Sequence, residues 1–362
     1  VSDPSSVVNA VTARIDAFAD RMREQAHPYG ADAQRFVETA AGTLDGGKRL
    51  RARFCHAGWA AVGALADSGA TEPDALWDVC AALEVFQSAA LVHDDLIDNS
   101  DTRRGRPAAH RAFEAAHIAA AWNGDAAPFG RSAAVLLGDL LVAWSDDLLE
   151  HGLRGHPHAA AVRDEYARMR RDVTLGQYLD IAEESAWIVN DDADHAERAL
   201  RVMTLKSARY SVEQPLLLGA ALAGADAEQH AALSAFGHPV GIAFQLRDDI
   251  LGVFGDERTT GKPSGDDLRE GKRTLLIAWT RQAMAAQGRR MVDELLGDPG
   301  LTPDQIASLQ GAIVESGALA RAEELIAQCS ADAERAVADA PLDARALVDL
   351  RALAEAATTR SA

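Results

Sequence analysis

Asp94 and Asp98 stand four residues apart in His93-Asp94-Asp95-Leu96-Ile97-Asp98, so on a helix both carboxylates project from one face, with Asp95 on the adjoining edge. Three like charges on one turn repel. They close a long apolar segment that runs through Leu76, Val79, Leu83, Phe86 and Ala90, where uncompensated burial of charge is costly. A hard divalent cation offsets that cost. Magnesium, which keeps several waters and takes one or two carboxylates beside substrate phosphates, suits the spacing. Read alone, the same residues also fit a solvated acidic helix end.

Arg103, Arg104 and Arg106 follow within Asp101-Thr102-Arg103-Arg104-Gly105-Arg106-Pro107, placing a cluster of planar donors beside the presumed metal ligands. Metal and arginine together describe a seat for a diphosphate, with local Asp–Arg surface pairs as the alternative. A second acidic pair, Asp248-Asp249, precedes a glycine-rich stretch from Gly255-Asp256 to Gly271 that holds Lys262, Asp266, Asp267 and Lys272. Such a loop can close over a phosphate and finish a metal's coordination shell. Earlier, Gly46-Gly47-Lys48-Arg49-Leu50-Arg51 sets three cations after two glycines at an expected helix N-terminus, a place that binds anions. It lacks the Walker spacing.

The elements that must position these groups are helices. One is expected to start at Thr71, with Pro73 in its opening turn and Asp74 at the capping-box position, and to run into Asp98. Another is expected from about Leu233, kinked near Pro239, to Asp248-Asp249. Turn-rich breaks at 66–73, 122–131, 151–158, 189–195, 223–228, 254–272 and 296–303 separate segments of 3.6-residue apolar period, which predicts roughly ten helices. The chain has 362 residues, 48% of them hydrophobic and only 5% aromatic, and alternating β-branched runs are nearly absent. The expected class is all-α, in one domain spanning 1–362, with no internal repeat and no linker.

A formal net charge of −19 argues against a nucleic-acid partner. Cys55, Cys80 and Cys329 lie far apart without metal or disulfide spacing, which fits a reducing cytoplasm. Val1 to Asp20 has no signal-peptide pattern. Ala133 to Trp144 is too short to span a bilayer and is interrupted by Asp139, so no integral membrane segment is expected.

The order of these motifs, with Lys206-Ser207 between the two acidic stations and Phe244-Gln245-Leu246-Arg247 leading into the second, resembles the trans-isoprenyl diphosphate synthases, the polyprenyl synthetase family. The resemblance covers about 46–273. It implies an all-α, single-domain, isoprenoid-synthase-like helical bundle around a deep central cavity, with the two aspartate stations facing each other across it. Lys48, Arg51, Gln87 and Arg104 are then expected to seat isopentenyl diphosphate, and Arg103, Lys206 and Lys262 the allylic diphosphate, with Lys272 a further phosphate ligand. Asp94 and Asp98, with Asp95 beside them, are expected to hold two magnesium ions. Asp248, with Asp249 and Asp266, is expected to hold a third. Ser207, Tyr210 and Gln245 match positions that line the reacting carbons. A cytoplasmic homodimer is also implied.

Two departures from the family pattern are mild: Gln87 stands where many relatives carry histidine, and Ser207 replaces a usual threonine. A third matters more, because Gly252 occupies the last acidic position of the second station, leaving Asp266 or Asp256 as expected substitutes. The implied reaction ionises an allylic carbon–oxygen bond, after which the alkene of isopentenyl diphosphate attacks and a proton leaves. No side-chain base is required, and His93, His110, His156 and His158 are read as structural or surface residues.

Product length should depend on what lies under Asp94. Ala89 and Ala90 are small, and Phe86 sits roughly 12 Å down the axis at 1.5 Å per residue. A ring there would act as a floor and give a geranylgeranyl product, with farnesyl or longer polyprenyl products as alternatives. A class I terpene cyclase would share the first station but need no second diphosphate seat. A non-catalytic synthase subunit would have lost the aspartates and arginines present here.

Overall fold

Alanine- and leucine-rich segments at helical spacing fold, in a computed structural model that describes residues 4–63, 72–256 and 264–359, into an all-α architecture. Among the described residues there are sixteen α-helices, a 3-10 turn at His27–Tyr29 and a π-helix at Met203–Glu213. The expected ten helices were too few. Several elements are split by short turns built on one left-handed residue, such as Gly30 (φ 88°) and Gly317 (φ 79°), which leave little trace in composition. A two-residue hairpin, β1 (Thr102–Arg103) and β2 (Arg106–Pro107), also interrupts the helices, in a region where no strand was expected.

The chain divides into two units. The first comprises residues 1–56 and 67–159, the second residues 57–66 and 160–362.

In the first unit α1 (Pro4–Ala26), α2 (Ala31–Thr43) and the start of α3 (Leu50–Ala61) accompany α4 (Asp74–Ile97), α5 (Ala109–Ala119) and α6 (Ala126–Gly152). α4 begins after Pro73, whose extended backbone (ψ 146°) ends the preceding loop, and carries no side-chain cap. The expected start at Thr71 lies outside the described residues. α6 packs along α4 through small residues seven apart. A Cβ at Gly138 would fall on the His93 ring, Ser145 Oγ donates to the Ala82 carbonyl at 2.6 Å, and a Cβ at Gly152 would come within 2.6 Å of Asp78 Cβ. α4 and α6 are both long and apolar enough by length and composition to cross a membrane. α4, however, is a core helix of the protein: its Asp78 is 2% exposed and takes Arg14 in two hydrogen bonds of 2.5 and 2.7 Å.

In the second unit α7 (Ala159–Ala186) and α8 (His195–Val202) lead into the π-helix, α9 (Gln214–Ala223) and α10 (Ala227–Phe254). α10 starts earlier than expected, at a full capping box in which Asp226 accepts from Glu228 and Gln229 while the Gln229 side chain accepts from the Asp226 N–H. It continues through Pro239, so the proline does not end the helix. α10 packs against the π-helix and against the helix Ala318–Val337. Arg247 ties it outward through two 2.7 Å bonds to Glu323 and one of 3.0 Å to the Thr358 carbonyl. Leu246, Ile250, Leu276, Leu309 and Ala322 belong to the core between these elements. The three cysteines are buried as free thiols.

Candidate active site

The first station forms where α4 stops. Asp98 caps the helix, its N–H donating to the Asp94 carbonyl at 2.8 Å, so the carboxylates of Asp94 and Asp98 gather at the C-terminal end, where the helix dipole already favours a cation. Asp98 is exposed and Asp94 half-buried, while Asp95 is buried and turned toward the hairpin. Arg103 Nε donates to Asp95 Oδ1 at 2.8 Å, and Arg103 Nη2 reaches the same oxygen; Asp94 Oδ2 lies 3.7 Å from Arg103. Burial pushes the Asp95 carboxyl up, and the Arg103 guanidinium only partly reverses this. Asp95 therefore holds Arg103 in place, whereas Asp94 and Asp98 present the pair of carboxylates suited to a hard cation.

The hairpin explains why three arginines can crowd together. Arg104 (φ 51°) and Gly105 (φ 73°) form a two-residue turn with both residues left-handed, the type I′ geometry that matches strand twist. Arg103 is thereby placed on Asp95, while Arg104 Nη1 donates to the Asp45 carbonyl at 2.9 Å and Arg106 pairs with the Asp45 carboxylate at 3.2 Å. The Arg104 guanidinium lies 3.1 Å from where a Cβ of Gly47 would be, so this glycine leaves the space the arginine fills.

The loop at 46–49 and the arginine hairpin thus form one surface of the first unit. Helix α3 does begin at Leu50, as the glycine-lysine-arginine run implied. Only part of that run faces solvent, however. Lys48 is exposed, but Arg49 is 5% exposed with φ 49° and donates to the Leu44 carbonyl at 2.8 Å; burial pulls its guanidinium below its ordinary range. Arg49 is a structural strut of the turn. Arg51 and Gln87 are half-buried, and the buried Glu84 accepts the Ala52 N–H at 3.0 Å in the opening turn of α3.

The second station lies on α10. Asp248 is exposed and Asp249 is buried, its carboxyl pushed up to about 8 by burial together with the charges of Asp267 and Asp248. Gln245 Nε2 donates to Asp249 Oδ1 at 2.7 Å, so the Gln245 amide is oriented by the buried member of the pair. Lys206 and Ser207 are half-buried and Tyr210 is buried on the π-helix, an element that commonly marks functional sites. Lys206 Nζ donates to Asp180 Oδ2 at 2.5 Å and Arg209 to Asp172 at 2.8 Å. Three glycines admit this wide helix: a Cβ at Gly176 of α7 would meet the Lys206 backbone, one at Gly241 of α10 the Ala208 carbonyl, and one at Gly237 of α10 Glu213.

Asp180 escaped the sequence reading. So did Glu184, whose carboxyl burial pushes up while the charges of Lys206, Arg273 and Lys272 oppose the rise. Lys272 Nζ is held by Asp267 at 2.8 Å and Glu270 at 2.7 Å; burial pulls its ammonium down, but these two charges outweigh burial and hold it well above its ordinary range. Asp266 opens the short helix Asp266–Glu270 in a half-buried position. Lys262 lies outside the described residues. Phe86 and Ala89 are buried along α4, and Ala90 is half-buried.

Comparison with known proteins places the chain among its relatives. The chain is 33% identical over 282 residues to the geranylfarnesyl diphosphate synthase of Aeropyrum pernix, covering 77% of this chain and 79% of that protein. It is 32% identical over 230 residues to the geranylgeranyl diphosphate synthase of Sulfolobus acidocaldarius, covering 63% of each. A crystal structure of geranylgeranyl pyrophosphate synthase from Corynebacterium glutamicum, complexed with isoprenyl diphosphate and magnesium, superposes with a TM-score of 0.92 at 37% identity, covering 99% of this chain and 100% of that one. The sequence model of the polyprenyl synthetase family matches residues 34–313, and the chain belongs to that family.

Proposed function

We propose that the chain condenses isopentenyl diphosphate with an allylic diphosphate, head to tail, to give geranylgeranyl diphosphate. The observation that carries this reading is the joining of Arg104 to the loop at Asp45 and Gly47, beside the helix that ends in Asp94 and Asp98. It supports a second anion seat next to the first station, which a one-substrate terpene cyclase does not need. Lys48, Arg51, Gln87 and Arg104 bind isopentenyl diphosphate there, and Arg103, Lys206, Lys262 and Lys272 bind the allylic diphosphate.

Asp94 and Asp98 of the first unit offer paired hard oxygens at the negative end of a helix, and Asp248 of the second offers an exposed carboxylate on α10; each is a donor type that fits magnesium, and the reading takes three ions. Magnesium bound there supplies positive charge to the diphosphate oxygens as they depart. Arg103, fixed by Asp95, sets its positive charge against the same oxygens as charge develops. Ser207, Tyr210 and Gln245 orient the reacting carbons, and Asp249 fixes the Gln245 amide. The expected proton acceptor is the leaving diphosphate, so no side-chain base is assigned. The reading includes one catalytic domain and a soluble, cytoplasmic homodimer, with Val135 and Leu136 exposed on α6 as apolar contact candidates.

Incubation with magnesium, isopentenyl diphosphate and each allylic primer in turn tests the reading by mass spectrometry. Geranylgeranyl diphosphate is the expected product. A hydrocarbon or alcohol released from the allylic substrate alone would instead identify a cyclase. Phe86→Ala removes the proposed floor of the chain pocket and should lengthen the product by one or more isoprene units. Unchanged product length would remove Phe86 as the stop.

A further inference from the structure

A Cβ built at Gly252 would fall directly on the carboxylate of Asp267, and the three heavy atoms nearest that point all belong to this one side chain. Position 252 is where the family pattern places the last acidic residue of the second station, and here it is empty of side chain. We infer that Asp267 supplies the missing carboxylate from the neighbouring helix, occupying the volume that Gly252 vacates and serving as the positioning residue for Lys272. The inference deepens the proposed function, since it rests on Lys272 binding the allylic diphosphate.

The local structure holds Asp267 there. Its helix, Asp266–Glu270, is bounded by two left-handed glycines, Gly265 (φ 76°) and Gly271 (φ 77°), and its middle is anchored by the Gly297 N–H donating to the Leu268 carbonyl at 2.9 Å. Asp267 Oδ1 accepts from Lys272 Nζ at 2.8 Å, and the Asp267 carbonyl accepts from the Lys272 N–H at 3.1 Å, so carboxylate and lysine are tied at both main chain and side chain. Asp266 and Asp256, the substitutes expected from the sequence, are not the residues that fill the space at 252.

Because one volume cannot hold two carboxylates, the two solutions exclude each other. Restoring the family's acid with Gly252→Asp should therefore harm the site, and Gly252→Ala should harm it too, since the first atom displaced is the end of a side chain and the helix backbone need not move. Asp267→Ala leaves Lys272 with Glu270 alone. The double variant, Gly252→Asp with Asp267→Ala, returns one carboxylate to the shared volume.

Binding of inorganic diphosphate with magnesium, measured by calorimetry on the full chain, reads this without turnover, and circular dichroism melting verifies that each variant is folded. The three single variants should bind about tenfold more weakly, as expected for loss of one charge-assisted contact, and show a raised KM for the allylic substrate with kcat changed less. The double variant should recover to within about threefold of the original affinity, a difference well under 1.4 kcal/mol. Gly252→Asp binding as tightly as the unmodified chain, or a double variant no better than Asp267→Ala, would overturn the inference. Failure of the unmodified chain to make a prenyl product would sink the proposed reaction instead, and would leave the diphosphate-binding comparison readable.

Discussion

Asp94→Ala should lower kcat for prenyl transfer by about 10²–10³-fold, and Asp248→Ala should do so by a similar factor, the usual size of effect when one preorganised group acting on a developing charge is removed. The physical reason lies in where the carboxylates stand. Asp94 and Asp98 share the C-terminal end of α4, whose exposed carbonyls add negative potential, and neither is the buried member of its motif. Loss of Asp94 therefore removes cation affinity without opening the core of α4, and melting should change little. Chelation of divalent ions should abolish turnover in the unmodified chain, and added magnesium should restore it. Asp95→Ala makes a useful contrast, because it frees Arg103 from its buried anchor and should raise KM for the allylic diphosphate. Steady-state rates on the purified chain check all of these, and an undiminished rate after chelation would end the metal-assisted reading.

The residue types of the site were legible in the sequence; their pairings were not. Carboxylates four apart at the end of an apolar helix announce themselves because helical spacing is local, and the glycines ahead of Lys48 likewise marked the start of α3. The division of labour inside each motif depends on burial, which is set by distant elements. Asp95 and Asp94 are neighbours in sequence, yet Asp95 is buried and takes the Arg103 hydrogen bonds while Asp94 stays half-buried at 3.7 Å; Lys48 and Arg49 are neighbours too, yet Lys48 is exposed while the buried Arg49 donates to the Leu44 carbonyl of its own turn. The hairpin that aims the arginines had one faint signal, an Arg-Gly pair placed where two left-handed residues in succession are needed.

The π-helix had none in its own residues. Its trace lies in Gly176, Gly237 and Gly241, which are far away in sequence and matter only once α7, α10 and the wide turn are packed together. The placement of Asp267 had no local signal for the same reason: the volume it enters belongs to a residue fifteen positions earlier, and only the packed structure shows that the space is shared.

Glu213→Ala should destabilise the chain by about 1–3 kcal/mol, the usual loss when a buried hydrogen-bonded carboxylate is removed from partners that still reach solvent. Glu213 closes the π-helix and is 5% exposed. Its two oxygens accept from Ser234 at 2.7 Å and His238 at 3.1 Å, and Arg209, which also pairs with Asp172, lies 3.4 Å away, so the loss removes the carboxylate that links the π-helix to α10. Burial alone would push this carboxyl up, but the hydrogen bonds from His238 and Ser234, with the charges of His238 and Arg209, outweigh burial and hold it below the ordinary range. A depressed carboxyl contributes stability above its unfolded value of about 4.3 and loses that contribution as pH falls through the lower folded value. The melting temperature of Glu213→Ala should therefore lie roughly 1–4 °C below that of the unmodified chain at neutral pH. The gap between the unmodified chain and Glu213→Gln should narrow as pH falls below about 4. Because Lys206 and Tyr210 ride on the same helix, activity should fall before the fold does, at temperatures where far-ultraviolet dichroism is still native. A Glu213→Ala protein that melts with the unmodified chain would mean that the glycine contacts at Gly237 and Gly241, rather than the carboxylate, hold the π-helix in place.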